Sequence, residues 1–157
     1  MDMDNVLVTV LTPVYNRGET MEKLYQSLLK QTCYGFSWLI IDDGSTDNLK
    51  QKVLEWEKNN VFRIIYYYKE NGGKHTALNR GFQMADTELV FIVDSDDILT
   101  ADAIQQIINI WGKVRSEHLA GMAFLKGNMD RKVIGNIFTQ VGIANDITMR
   151  YRNNVGG

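Results

Sequence analysis

The sequence predicts an α/β fold in which a mostly parallel central sheet is packed between helices. Three observations carry this expectation. Short apolar, β-branched runs alternate with segments of helical periodicity over residues 6–111, and that alternation produces parallel strands joined by right-handed crossovers. Three of the runs end in polar clusters, at residues 12–17, 42–47 and 94–97. The 157 residues, 45% apolar and 23% charged, have ordinary globular composition and suffice to fill one core.

The elements follow in order. Residues 6–11 are an apolar run of strand character, and Pro13, the only proline, is expected to stop it. After the polar turn Asn16-Arg17-Gly18-Glu19, Thr20 is placed to cap a helix with Met21, Leu24, Tyr25, Leu28 and Leu29 on one face. Residues 38–41 make a second strand that runs into Asp42-Asp43-Gly44-Ser45-Thr46-Asp47. Leu49, Val53 and Trp56 mark a second helix, and residues 62–68, rich in β formers, a third strand. Residues 69–74 form a loop with Gly72-Gly73 at its tip. A third helix then sets Leu78, Gly81, Phe82 and Ala85 on one side. Residues 89–93 are a fourth strand. Thr100 is placed to cap a fourth helix carrying Ile104, Ile107, Ile108 and Trp111. Residues 119–125 are compatible with a fifth strand, and residues 129–157 carry no assignment. The expected division is a ligand-binding domain over residues 1–125 and the start of a second region over 126–157.

Composition excludes several classes. A net charge of −2 leaves no basic patch for nucleic acid. A single cysteine rules out an internal disulfide framework and suits a reducing cytoplasm; Cys33 reads as a buried small hydrophobe rather than a nucleophile. The acidic start Met1-Asp2-Met3-Asp4 lacks a signal-peptide pattern. No apolar run approaches the ~20 residues of a transmembrane segment, although contact with a membrane surface stays open.

In parallel sheets ligands lie beyond the carboxyl ends of the strands, where strand order reverses, so the three polar clusters should share one edge. Asp94-Ser95-Asp96-Asp97 puts three carboxylates in four residues. They repel one another, and a divalent cation relieves the repulsion. Asp94 and Asp96 have the alternating spacing to meet at a common centre. Hard oxygen ligands favour magnesium or manganese, which complete their shell with phosphate oxygens. The alternative is a solvated turn in which Asp97 or Thr100 caps the next helix. Asp43, at a strand end, can accept a hydrogen bond from a base N–H, which favours uracil or guanine over adenine. Its alternative is an Asx turn with Asp47 or Ser45 as helix cap; both hold at once if Asp47 caps and Asp43 binds. Lys74 and Arg80 are candidate phosphate partners, with His75 beside them, and Gly72-Gly73 lets backbone approach a ligand. Tyr66-Tyr67-Tyr68 reads as strand packing.

Four strings in this order, each at or just after a strand end, carry a resemblance. They are Thr12-Pro13-Val14-Tyr15-Asn16-Arg17 and Ile41-Asp42-Asp43-Gly44-Ser45-Thr46-Asp47, then Asn71-Gly72-Gly73-Lys74 with Ala77-Leu78-Asn79-Arg80-Gly81, and finally Val93-Asp94-Ser95-Asp96-Asp97. Over residues 6–108 the chain resembles the family 2 glycosyltransferases of the GT-A fold, a Rossmann-like α/β/α sandwich. The resemblance implies a nucleotide-diphosphate sugar donor, commonly a UDP-sugar, a glycan or lipid-linked acceptor, and inversion at the anomeric centre. It also implies polysaccharide or cell-envelope glycan synthesis, in the cytoplasm or at the inner face of the membrane. In it Thr12, Pro13 and Tyr15 belong to the base pocket, Asp43 accepts from the base, and Lys74 meets the diphosphate. Asp94 and Asp96 correspond to the family's Asp-x-Asp motif. Asp94 lies near ribose and metal, Asp96 binds manganese or magnesium, and Asp97 can substitute in that register. A metal there stabilises the departing diphosphate.

The family's usual base is an acid well downstream. Asp130 and Asp146 are the only late acids, neither in a Glu-Asp pair, so no catalytic residue is assigned and the chain is expected to bind donor but transfer poorly. A nucleotidyltransferase would carry a Gly-rich basic loop where Pro13-Val14-Tyr15-Asn16-Arg17 stands, and a dehydrogenase would need Gly-x-Gly-x-x-Gly. A nucleotide-binding module without turnover is the remaining alternative.

Overall fold

The computed structural model describes residues 6–59, 61–115, 121–124, 126–128 and 132–134. The chain divides into two compact units, residues 1–112 and 113–157. The elements in chain order are β1 (Val8–Val14), α1 (Gly18–Leu29), β2 (Phe36–Asp42), α2 (Leu49–Glu57), β3 (Arg63–Tyr68), α3 (Lys74–Met84), β4 (Leu89–Ile92) and α4 (Ala103–Val114).

The four strands make one sheet in the order β3-β2-β1-β4, and every neighbouring pair is parallel. β1 and β2 lie at the centre and are buried at every position, which explains their near-continuous apolar sequence. On one face Trp38 of β2 stacks with Trp56 of α2 at 5.5 Å, and Tyr25 of α1 stacks on Trp56 at 4.7 Å. On the other face Leu11, Leu39 and Ile41 pack against Ala77 of α3. Gly81 lets α3 sit directly on β1, because a Cβ there would stand 2.3 Å from Leu11 Cδ1. Helices thus cover both faces, as the alternation predicts. No helix among the described residues is long and apolar enough to cross a membrane.

Several local expectations are corrected. Pro13 does not stop the first strand, which continues to Val14. Leu11 O accepts the Val93 N–H and Val14 O accepts the Asp43 N–H, so alternate residues face β4 and β2. Pro13 therefore turns its missing donor toward the β4 side, past the point where β4 ends at Ile92. No ladder bond is lost, and a proline is tolerated there.

Helix α1 begins at Gly18, so Thr20 lies inside its first turn and donates to Arg17 O at 3.0 Å instead of capping. Helix α4 begins at Ala103 rather than just after Thr100. Buried Gln31 organises its start, donating to Thr100 O at 2.8 Å and accepting from the Ile104 N–H at 3.1 Å. Phe82 faces out at 50% exposure, and Ala85 caps α3 rather than packing within it. Cys33 is partly exposed and accepts a long hydrogen bond from the Gly35 N–H. Of the possible fifth strand, residues 119, 120 and 125 lie outside the described residues, and 121–124 form no strand. Among the described residues of the second unit, Gly127 and Val133 form an antiparallel bridge.

Candidate functional site

Strand order reverses at β1: β2 and β3 lie to one side of it and β4 to the other. The turns that leave the carboxyl ends of these strands converge there, where parallel sheets bind ligands. The turns after β1 and β2 are fastened together by side chains. The Asn16 N–H donates to Ser45 Oγ at 2.9 Å, and Asn16 Oδ1 accepts the Thr46 N–H at 2.8 Å. Asn16 holds a left-handed φ of 51°, a conformation that asparagine tolerates better than most residues. Asp47 accepts the Gly18 N–H at 2.8 Å and the Leu49 N–H at 3.2 Å. One carboxylate thus serves the amino ends of both α1 and α2, where negative charge is favourable.

Asp42 and Asp43 are adjacent, both buried, and divide two tasks. Asp42 builds its own turn, accepting the Ser45 N–H at 2.7 Å and the Tyr66 hydroxyl at 2.5 Å. Burial, and next the Asp42 carboxylate, push the Tyr66 phenol well above its ordinary value. Asp43 faces the loop after β3. It accepts the Gly72 N–H at 3.0 Å and the Gly73 N–H at 2.7 Å, and it pairs with the Lys69 ammonium. Burial alone would raise the Asp43 carboxyl, but Lys69 and the two amides outweigh it and hold it below the usual carboxylate range. Gly44, at φ 88°, brings turn and loop into contact, since a Cβ there would lie 2.8 Å from Asn71 N.

At the other end of the loop, Lys74 Nζ lies 2.6 Å from Asp94 Oδ1. The Asp97 N–H donates to Asp94 O at 3.0 Å and closes the turn after β4. Asp96 is exposed. Among the described residues no three His, Cys, Asp or Glu side chains gather where they could hold a metal. The side chains of Asp94, Asp96 and Asp97 offer carboxylate oxygens, the donor type that hard ions such as magnesium and manganese take. The edge thus offers a buried acceptor carboxylate at one end and clustered acids at the other, with residues 69–74 strung between them.

Residues 9–147 match the family model described as glycosyl transferase family 2. The chain belongs to glycosyl transferase family 2. It is 30% identical over 128 residues to the Escherichia coli UDP-Glc:alpha-D-GlcNAc-diphosphoundecaprenol beta-1,3-glucosyltransferase WfgD, covering 82% of this chain and 47% of that one. It superposes on Staphylococcus aureus TarS 1-349 in complex with UDP with a TM-score of 0.72 at 26% identity, over 85% of this chain and 40% of that one. A mannosyltransferase from Pyrobaculum calidifontis, solved with GDP-Man and Mn2+, gives a TM-score of 0.62 at 26% identity, over 66% and 32%. The chain aligns with between 16% and 47% of the length of eight curated relatives. The solved neighbours are GT-A glycosyltransferases, so the α/β/α sandwich expected from the sequence is the GT-A sheet.

In this glycosyltransferase-family chain the structure gathers Tyr15, Asp43, Asp94 and Asp96 on turns of one sheet edge, with Lys74 at the start of α3 beside them and Tyr15 half exposed. Thr12 sits one layer deeper. It is fully buried, and its hydroxyl accepts the Trp38 indole N–H at 3.0 Å. Pro13 is buried beside it. Arg80 lies six residues into α3, about 9 Å along the axis, and its guanidinium stacks 4.5 Å from the centre of the Tyr67 ring, next to the last residue of β3. His75 is exposed near the site, folded back close to Gly73. Sequence reading gave no role to Lys69 or to the Asp42–Tyr66 pair, and it quoted Asn71 without foreseeing that its side-chain amide donates to Asp43 O at 2.9 Å. A lysine directly after a strand and ahead of paired glycines was the available signal for the first. Nothing local marks Tyr66 as the partner of Asp42.

Proposed function

We propose that this chain binds the nucleotide-diphosphate sugar, a UDP-sugar, of a metal-assisted glycosyltransferase. That enzyme passes the sugar with inversion to a hydroxyl of a glycan or lipid-linked acceptor, in envelope polysaccharide synthesis on the cytoplasmic side of the membrane. The observation that carries the reading is the loop of residues 69–74, which joins a buried hydrogen-bond acceptor, Asp43, to an acidic turn, Asp94 to Asp97. A nucleoside diphosphate has matching ends, an imide N–H and a cation-binding diphosphate. Relatives lend support through their named ligands: UDP-Glc for WfgD, UDP for TarS, and GDP-Man with Mn2+ for the mannosyltransferase.

Asp43 takes the base. A carboxylate offers about four acceptor positions, and three donors already engage it, which leaves one for a base N–H. Tyr15 supplies an exposed ring at that end. Thr12 and Pro13 act beneath the base, fixing the floor on which the turn rests. Lys74 and Asp94 serve the diphosphate and ribose. Asp96 is the preferred metal ligand, with Asp94 or Asp97 as the second. A bound divalent ion would offset charge on the leaving diphosphate. Donor binding falls to residues 1–125. Acceptor deprotonation needs a general base, in the family usually an acid, and the late acids Asp130 and Asp146 lie outside the described residues.

Calorimetric titration of the chain with UDP, GDP and ADP, with and without manganese, tests the reading. UDP should bind most tightly, manganese should strengthen it, and Asp96→Ala should remove the manganese effect. UDP binding indifferent both to manganese and to Asp96→Ala would overturn it.

A further inference from the structure

We propose that Lys74 is a resident cation of the donor site. It holds Asp94 while no divalent ion is present, yields that carboxylate to the incoming ion, and turns to the diphosphate that arrives with it. The proposal rests on the donor-binding reading above and adds an exchange step to it.

Three observations support the exchange. The turn after β4 carries acids at 94, 96 and 97 and is closed by the Asp97 N–H to Asp94 O bond. Lys74 Nζ stands 2.6 Å from Asp94 Oδ1, so the cation beside this acidic sequence comes from the first residue of α3.

The two lysines at the ends of the loop are also built differently. The Lys69–Asp43 side chains are 20% and 4% exposed, whereas Lys74 and Asp94 are 58% and 36% exposed. A buried, amide-supported pair is held in place, but a solvent-screened pair is weak and readily exchanged.

Finally, the backbone beneath Lys74 is anchored independently of its ammonium group. Gly72 and Gly73 are fastened to Asp43, and Thr76 Oγ1 donates to Gly73 O at 2.9 Å. Lys74 can release Asp94 by rotating its flexible four-carbon stem without moving the loop or the first turn of α3.

The test is a pair of titrations on the full chain: manganese alone, followed by its electron paramagnetic resonance signal, and UDP at saturating manganese. Lys74→Met should raise the affinity for manganese alone, by up to roughly five-fold for a pair this exposed, and lower the affinity for UDP. Lys74→Arg keeps a cation beside Asp94 and should return manganese affinity to the wild-type value. A residue with a merely structural role would lower both affinities, and one that only touched phosphate would change the second alone. Either of those patterns overturns the proposal. Lys74→Gln provides a second neutral variant should Lys74→Met fold poorly. Absence of any nucleotide binding by the wild-type chain would sink the donor reading instead, while the manganese-only titration still decides for or against Lys74.

Discussion

Asp43 shows how much depends on one side chain. It is buried, satisfied by two backbone amides and a lysine, and held below the ordinary carboxylate range. A carboxyl whose folded pKa is depressed contributes stability that is fully present above its unfolded value, about 4, and lost as pH falls through the lower folded value. Wild type should therefore exceed Asp43→Asn in stability by about 1.5–3 kcal/mol, the range for hydrogen bonds to a charged group. The gap should hold steady from pH 7 to pH 5 and close only below about pH 4. Urea midpoints across that range measure it, and a gap that closes between pH 7 and pH 5 would contradict the assignment. The place of Asp43 at the carboxyl end of a buried strand was legible, because the apolar run of residues 38–41 leads straight into it. Its lysine and amide partners were not, since they come from a loop 26–30 residues away that only the β2–β3 pairing brings near.

At the scale of elements, α3 carries the clearest consequence of packing. Alanine in place of glycine ordinarily favours a helix interior by about 1 kcal/mol. At position 81 the new methyl would stand 2.3 Å from Leu11 Cδ1, on a side chain that is itself fully buried. Overpacking of this kind costs about 1–3 kcal/mol, so Gly81→Ala should be destabilising on balance. Gly112, in α4, has nothing within 4 Å of such a methyl, and Gly112→Ala should stabilise slightly. Thermal unfolding of the two variants should move in opposite directions, and the same sign for both would refute the packing argument. Element types were legible from periodicity throughout residues 8–114. Element ends were not, because tertiary partners set them: Asp47 starts α1 in place of Thr20, and Gln31 organises α4 in place of Thr100.

The whole molecule places its candidate site on four separated stretches, residues 15–18, 42–47, 69–74 and 94–97, which only the folded sheet brings to one edge. A ligand that spans them binds the folded chain and not the unfolded one. UDP with manganese at a hundred times its dissociation constant should therefore raise the unfolding free energy by about 2.7 kcal/mol. That appears as a higher midpoint in a thermal melt, and an unchanged midpoint under saturation would show that the edge is not spanned. Convergence of the strand-end clusters was readable from the alternation of elements. The coupling of the turns through Asn16, Ser45 and Asp47 was not, because each contact bridges about 30 residues of chain.

Pro13 has a meaning beyond its tolerance within β1. Open strand edges recruit foreign strands, and proline is among the devices that refuse them. Toward β4 the ladder of β1 closes with the Val93 N–H to Leu11 O bond, and β4 stops at Ile92. Pro13 comes next on that side and offers no amide to carry the pairing further. The buried proline thus marks where the sheet gives way to the turn of residues 94–97, and that turn is closed by its own Asp97 N–H to Asp94 O bond instead.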